Sequence, residues 1–142
     1  VSEQNVELLR RAYEAFNARD IETLIAYYDP SVEFHSHFAA VGGMTVYHGH
    51  DGLRRWHRDL EDVWGDEIRL EPEAYFDLGE HTLAFGALHG RGRQSGVDVA
   101  LPAAQVARWR DGRIVFFKGY ADKEDALSDL GVSEEALEPI AA

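Results

Sequence analysis

The segment "VELLRRAYEAFNARDIETLIAYYDPSVEFH", Val6 to His35, changes its hydrophobic period from helical to extended along its length. Val6, Leu9, Tyr13 and Phe16 fall three, four and three residues apart, one stripe of an amphipathic helix, with Ser2 upstream as its N-cap. "NARD" closes that helix. Asp20 is placed to cap a second, shorter helix that carries Ile21, Leu24, Ile25 and Tyr28 on one side. Asp29-Pro30 is expected to stop it, because a residue before proline is pushed out of the helical region. Past the proline, "SVEFHSHF" alternates Val32, Phe34, Ser36 and Phe38 with Glu33, His35 and His37, a short strand whose two faces carry different chemistry.

Downstream, "AAVGGMT" reads as a loop. Leu53, Trp56, Leu60, Val63 and Trp64 then recur at helical spacing between Asp51 and Trp64, with Gly65 as the stop. From Asp66 the period becomes two, in the runs "DEIRLEPEAYF", "HTLAFGALHGRGR", "VDVALPAAQVARWR" and "RIVFFKGY". Asp111-Gly112 between the last two is a hairpin signal, since a type I′ turn needs positive φ at both central positions. The runs are expected to form an antiparallel meander. "DKEDALSDLG" reads as a helix from Asp122 to Leu130 with Gly131 as its C′ residue, and residues 131–142 as a short helical tail that frays. The order helix, helix, strand, helix, four strands, helix predicts one α+β domain over residues 1–142, a curved antiparallel sheet packed against N-terminal helices. Such a sheet curls into a cone whose open end is a natural ligand site.

The chain has 142 residues, enough to bury about two thirds of its unfolded surface around one core. Its 26 acidic residues against 14 Lys and Arg leave a net charge of -12, which repels a phosphate backbone or an anionic membrane. Neither nucleic acid nor membrane is therefore an expected partner. Cysteine is absent, which removes disulfides, thiolate ligands and cysteine nucleophiles together and makes the cytoplasm the expected compartment. "VSEQNVELLRR" is polar and helix-patterned, and no apolar run approaches the ~18 residues of a membrane span, so the chain reads as soluble and untargeted. Three Trp, six Tyr and seven Phe exceed the needs of a minimal core, and some are expected to line a cavity.

Three pieces, Val6–His35 above, "YHGHDGLRRW" from Tyr47 to Trp56 and "VARWRDGRIVFFKGYADKEDAL" from Val106 to Leu127, resemble in order the SnoaL-like branch of the nuclear transport factor 2-like superfamily. The resemblance implies the cone-shaped fold, a homodimer through the outer sheet face and a pocket for a hydrophobic small molecule. That superfamily includes ketosteroid isomerase, polyketide cyclases, limonene epoxide hydrolase, scytalone dehydratase and many non-catalytic adaptors. Aligned on "FNARD", the first-helix tyrosine that donates to the oxyanion in ketosteroid isomerase falls at Ala12, with Tyr13 one residue away and rotated about 100° around the helix. The isomerase's aspartate base falls at Phe34. Its protonated acid, like the acid/base aspartate of SnoaL-type cyclases, falls at Gln105, which donates hydrogen bonds but exchanges no proton. The Arg-x-Asp of limonene epoxide hydrolase falls near Gly86 and Leu88, and its second aspartate near Gly119. The best-known carboxylate chemistry of the superfamily is thus unmatched.

"FHSHF" puts His35 and His37 on one side of a strand and "YHGHDG" repeats the spacing at His48 and His50, which raises a metal site built from imidazoles. Against it, no acidic residue lies between Glu33 and Asp51 to complete or orient such a set, and neither a metal nor another cofactor is expected. The acid/base reading sets His35, His37 and His89 with Tyr13 or Tyr28, a combination that resembles the histidines and tyrosines of scytalone dehydratase and supplies a base and an oxyanion donor. The competing reading turns Phe34 toward the cone and His35 with His37 outward. Tyr28, Phe34, Trp56, Leu60, Phe85 and Phe117 are expected along the cavity wall, and Gln105, among Ala103, Ala104 and Ala107, as a hydrogen-bonder in the pocket. Arg91 and Arg93 either clamp an anion at the mouth or form a solvated rim. Two functions stay open. One is a cofactor-free isomerase, cyclase or dehydratase that moves protons on an apolar carbonyl-bearing or polycyclic substrate, with a histidine base and Tyr13 or Gln105 as donor; the other is a non-catalytic module that binds a hydrophobic ligand.

Overall fold

The computed structural model describes residues 2–37, 45–65, 67–91 and 96–140. The first helix, α1 (Ser2–Asn17), buries the stripe Val6, Leu9, Tyr13 and Phe16. Ser2 is its first helical residue, and the side chain that was expected to cap it lies outside the described residues. Asn17 docks the end of α1 on the sheet, accepting from the Leu70 N–H at 2.8 Å and donating to the Leu70 carbonyl at 2.9 Å as a neighbouring strand would. Asp20 caps α2 (Ile21–Ile25) as expected, its carboxylate accepting from the Thr23 N–H at 3.3 Å and the Thr23 hydroxyl at 2.7 Å.

Six strands follow the order β2-β1-β6-β5-β4-β3 across one sheet. They are β1 (Tyr28–Ser36), β2 (Thr45–His48), β3 (Arg69–Leu78), β4 (His81–Arg91), β5 (Asp98–Arg110) and β6 (Arg113–Tyr120). β3 to β6 form the expected antiparallel meander, and β1 joins β6 in parallel. Asp111 and Gly112 turn the last hairpin with φ of 53° and 76°. Two expectations need correction. The second helix ends at Ile25 instead of Tyr28, and Asp29-Pro30 lies inside β1. Pairing of β1 with β6 lapses between Tyr28 and Glu33, so the N–H that Pro30 lacks breaks no ladder bond there. β2 was not foreseen at all, because four residues are too few to show a period; it pairs antiparallel with β1 from Glu33↔His48 to Ser36↔Thr45.

The third helix, α3 (Gly49–Trp64), starts two residues before the expected Asp51, buries Leu53, Trp56 and Leu60, and ends where Gly65, at φ 72°, donates to the Glu61 carbonyl at 2.7 Å. The sheet's register shifts between Tyr28 and Glu33, Pro72 and Ala74, and Arg108 and Trp109, and such bulges bend a sheet. Gly86 serves one of them: a Cβ there would meet the Glu71 carbonyl oxygen at 2.4 Å and Pro72 Cα at 2.9 Å. The inner face packs on α1 and α3. The outer face carries Phe76, Leu83, Ala104, Val106 and Tyr120 under the last helix, α4 (Lys123–Leu130), capped by Asp122 and closed by Gly131 at φ 69°. Beyond it the chain makes one 3₁₀ turn, and the Ile140 N–H donates to the Tyr75 carbonyl at 2.8 Å, so the tail is anchored on β3 where fraying was expected. No helix among the described residues is long and apolar enough to cross a membrane.

Candidate functional site

Alternation along the strands turns Phe34 and Ser36 of β1, Gln105 of β5, and Phe117 and Gly119 of β6 to the inner face. There they meet Tyr13 and Phe16 of α1 and Trp56 and Leu60 of α3 around a cavity of about 50 Å³. Its aromatic wall is closely packed: Phe34 stacks on Phe117 at 4.7 Å and 6°, leans on Trp56 at 4.7 Å, and meets Tyr28 edge-on at 5.8 Å. The Trp56 indole N–H donates to the Ser36 hydroxyl at 3.1 Å, and both groups are buried, so the indole plane is fixed.

Two polar groups break this apolar surface. Tyr13 is 6% exposed and its hydroxyl has no hydrogen-bond partner among the described residues. Burial, then the neighbouring Tyr28 and Tyr75, push its phenol well above the ordinary value, so it stays protonated and able to donate. Gln105 stands opposite Ala84 on one neighbouring strand and Gly119 on the other, and these small partners leave a hollow around its amide. Gly119 is a matter of room, since a Cβ there would come no nearer than 3.9 Å to the His35 carbonyl oxygen. No carboxylate, lysine or arginine is among the described residues at the wall.

The structure therefore places Tyr13, Tyr28, Phe34, Trp56, Leu60, Gln105 and Phe117 around one cavity. It separates two others. The alternation that turns Ala84 inward turns Phe85 to the outer face, against Phe76 at 5.1 Å and below the Lys123 ammonium at 5.7 Å. Likewise Leu88 borders the cavity and His89 faces away, into a shallow recess where its Nε2 lies 3.7 Å from the Glu71 carboxylate. His35 and His37 both border the cavity, but the His35 ring is turned to the Glu33 carboxylate at 2.6 Å and to Phe116 at 5.1 Å. His48 is exposed, and His50 Nε2 donates to the Tyr28 carbonyl at 2.8 Å, so the two His-x-His pairs do not converge. Among the described residues no group of three or more His, Asp or Glu is placed to hold a metal ion. Arg91 is paired with Asp98 at 2.8 Å and Glu67 at 3.4 Å, which makes it a rim residue; Arg93 lies outside the described residues. Sequence reasoning missed Phe16, Leu24, Ser36, Ile68, Leu70, Leu88 and Gly119 at the wall, although Ser36, Leu70, Leu88 and Gly119 sit on the inward parity of a strand.

A family model described as the SnoaL-like domain matches residues 9–117. Among curated proteins none matches. Among solved structures, an NTF2-like protein of unknown function from Burkholderia pseudomallei shares 26% identity over 88% of this chain and 95% of its own, with a TM-score of 0.76. TerC, co-crystallised with polyporic acid, shares 24% over 88% of this chain and 96% of its own, with a TM-score of 0.73. A Catenulispora acidiphila protein with a ketosteroid isomerase-like fold, in complex with trimethylamine, shares 15% over 91% of this chain and 95% of its own, with a TM-score of 0.72.

Proposed function

Because the chain belongs to the SnoaL-like domain family, we propose that it uses the cone to bind a neutral small molecule with an apolar body and a hydrogen-bond acceptor, held by Tyr13 and Gln105. The observation that carries this reading is the Tyr13 hydroxyl, buried at the cavity wall without a hydrogen-bond partner among the described residues. An orphaned buried donor costs roughly 1–3 kcal/mol, and a site that exists to meet a ligand explains its retention. Gln105 in its hollow offers a second donor. A wall on which the described residues include no carboxylate, lysine or arginine disfavours a charged ligand. The complexes of TerC with polyporic acid and of the Catenulispora protein with trimethylamine support small-molecule binding in this fold. A heteronuclear NMR titration with small ketones tests it: saturable shifts at Tyr13 and Gln105 that vanish in Tyr13→Phe are expected, and shifts indifferent to that substitution defeat the reading.

A second reading, a proton-transfer enzyme, is favoured by His37 at the same wall, since no carboxylate among the described residues there competes for the role of base. His37 would take a proton from the carbon beside a ketone while Tyr13 donates to the enolate oxygen, and the imidazolium would return a proton to carbon. Exchange of acetone methyl protons into deuterated water, followed by NMR, separates the readings. Protein-dependent exchange that His37→Asn abolishes makes the chain an enzyme; exchange at the buffer rate leaves it a binder. We further propose that the chain works as a single domain in the cytoplasm and as a homodimer through the outer sheet face. There Val46 is 38% exposed beside His35, and Phe116 packs on the His35 ring. Sedimentation of the wild type against Val46→Asp tests the dimer, which the variant should weaken.

A further inference from the structure

We infer that Phe34 is a size gate that restricts the site to compact carbonyl compounds of a few heavy atoms, smaller than a benzene ring, and shuts out rings and polycycles. The inference rests on the reading of the cavity as a ligand site. Phe34 is 2% exposed and stands in the middle of the cone, where Phe117, Trp56 and Tyr28 hold its ring on three sides at 4.7, 4.7 and 5.8 Å. It cannot swing aside cheaply, because Trp56 is itself fixed by the hydrogen bond to Ser36. What the ring leaves beside Tyr13 and Gln105 is about 50 Å³. Pockets for drug-sized ligands run to about 300–1,000 Å³, and a dry cavity of about 150 Å³ takes one benzene. Removing the Phe34 ring enlarges this space toward that of a cavity that takes a single ring. Gly119 acts at the other side: it leaves the floor of the hollow open next to Gln105, and a methyl group there would fill that space without touching backbone closer than 3.9 Å. The chemistry at this remnant fixes the class further. The donors Tyr13 and Gln105 ask for a carbonyl-type acceptor, and a wall whose described residues include no carboxylate, lysine or arginine asks for a neutral molecule.

The test is an NMR titration of the full chain with acetone, cyclohexanone and 1-tetralone as probes. The proteins are the wild type, Phe34→Ala, the milder Phe34→Val in case the alanine variant does not fold, Gly119→Ala and Tyr13→Phe. The wild type should bind acetone saturably and neither cyclic ketone. A Phe34 variant should bind cyclohexanone at least tenfold more tightly than the wild type does. Gly119→Ala, folded by its spectrum, should lose acetone. Tyr13-dependent binding of all three probes by the wild type would overturn the gate and leave the ligand site standing. Wild type that binds no probe, or binds acetone equally well as Tyr13→Phe, overturns both.

Discussion

Replacing Tyr13 with phenylalanine removes one oxygen from the inner face and leaves the ring, its packing on Tyr75 at 6.2 Å and its place in the α1 stripe intact. In most cores the loss of a tyrosine hydroxyl breaks a hydrogen bond and costs stability. Here the hydroxyl has no partner among the described residues, so no bond to them is lost and the desolvation penalty of an orphan donor, roughly 1–3 kcal/mol, is relieved. The adjoining cavity admits water, which offsets part of that penalty, and the lower figure, about 1 kcal/mol, is the expected gain. At about 2.1 cal/mol/K of unfolding entropy per residue, a chain of 142 residues converts this into a rise in Tm of about 3 °C. Differential scanning calorimetry of the wild type and Tyr13→Phe reads the shift directly. The same variant should lose ligand binding, the trade between stability and function that a strained site makes. A fall in Tm of about 3 °C or more would mean that the hydroxyl already holds a partner within the folded protein, and the expected gain would be wrong.

Burial holds the His57 imidazole below its ordinary value of 6.5, with Arg19 acting in the same direction and Glu61 against them. The unfolded chain therefore takes up the proton first, so this contribution is fully present above about pH 6.5 and is lost as the pH falls below it. Tm measured from pH 7.5 to 5 should decline more steeply in the wild type than in His57→Gln; equal slopes would contradict the sign. Gly86→Ala drives a methyl group into the backbone of the β3 bulge and should cost about 2 kcal/mol or more by denaturant unfolding, whereas a neutral result would show that the bulge adapts. Trp109→Phe deletes the indole donor 2.9 Å from the fully buried Thr82 hydroxyl and should cost about 1–3 kcal/mol, much of it recovered when Thr82→Val is added; strict additivity in that double-mutant cycle would argue against the pairing.

The elements that sequence located were those long enough to repeat. α1, α3 and β3 to β6 each show several turns or alternations, and the caps at Asp20 and Asp122 and the turn at Asp111-Gly112 are local chemistry that needs no tertiary context. β2 was invisible because its four residues acquire their identity from pairing with β1. Asp29-Pro30 misled because proline stops a helix in isolation, yet is equally at home where a strand's pairing lapses. For the site, the residue types were legible and the faces were not. Phe85 and His89 have suitable chemistry but the wrong parity, and one residue of strand register decides whether a side chain points to the cavity or away from it. The smallness of the cavity was also beyond sequence reading, since it comes from how tightly Phe34, Phe117 and Trp56 nest against one another.

The most direct test of Tyr13 as the ligand-holding donor is a crystal structure of the wild-type protein soaked with acetone, paired with the same soak of Tyr13→Phe. Acetone is expected inside the cone in the wild type, its oxygen about 2.7 Å from the Tyr13 hydroxyl and within reach of the Gln105 amide, and none in the variant. An empty wild-type cavity, acetone at equal occupancy in both crystals, or a Tyr13 hydroxyl bonded to another protein group would contradict that role.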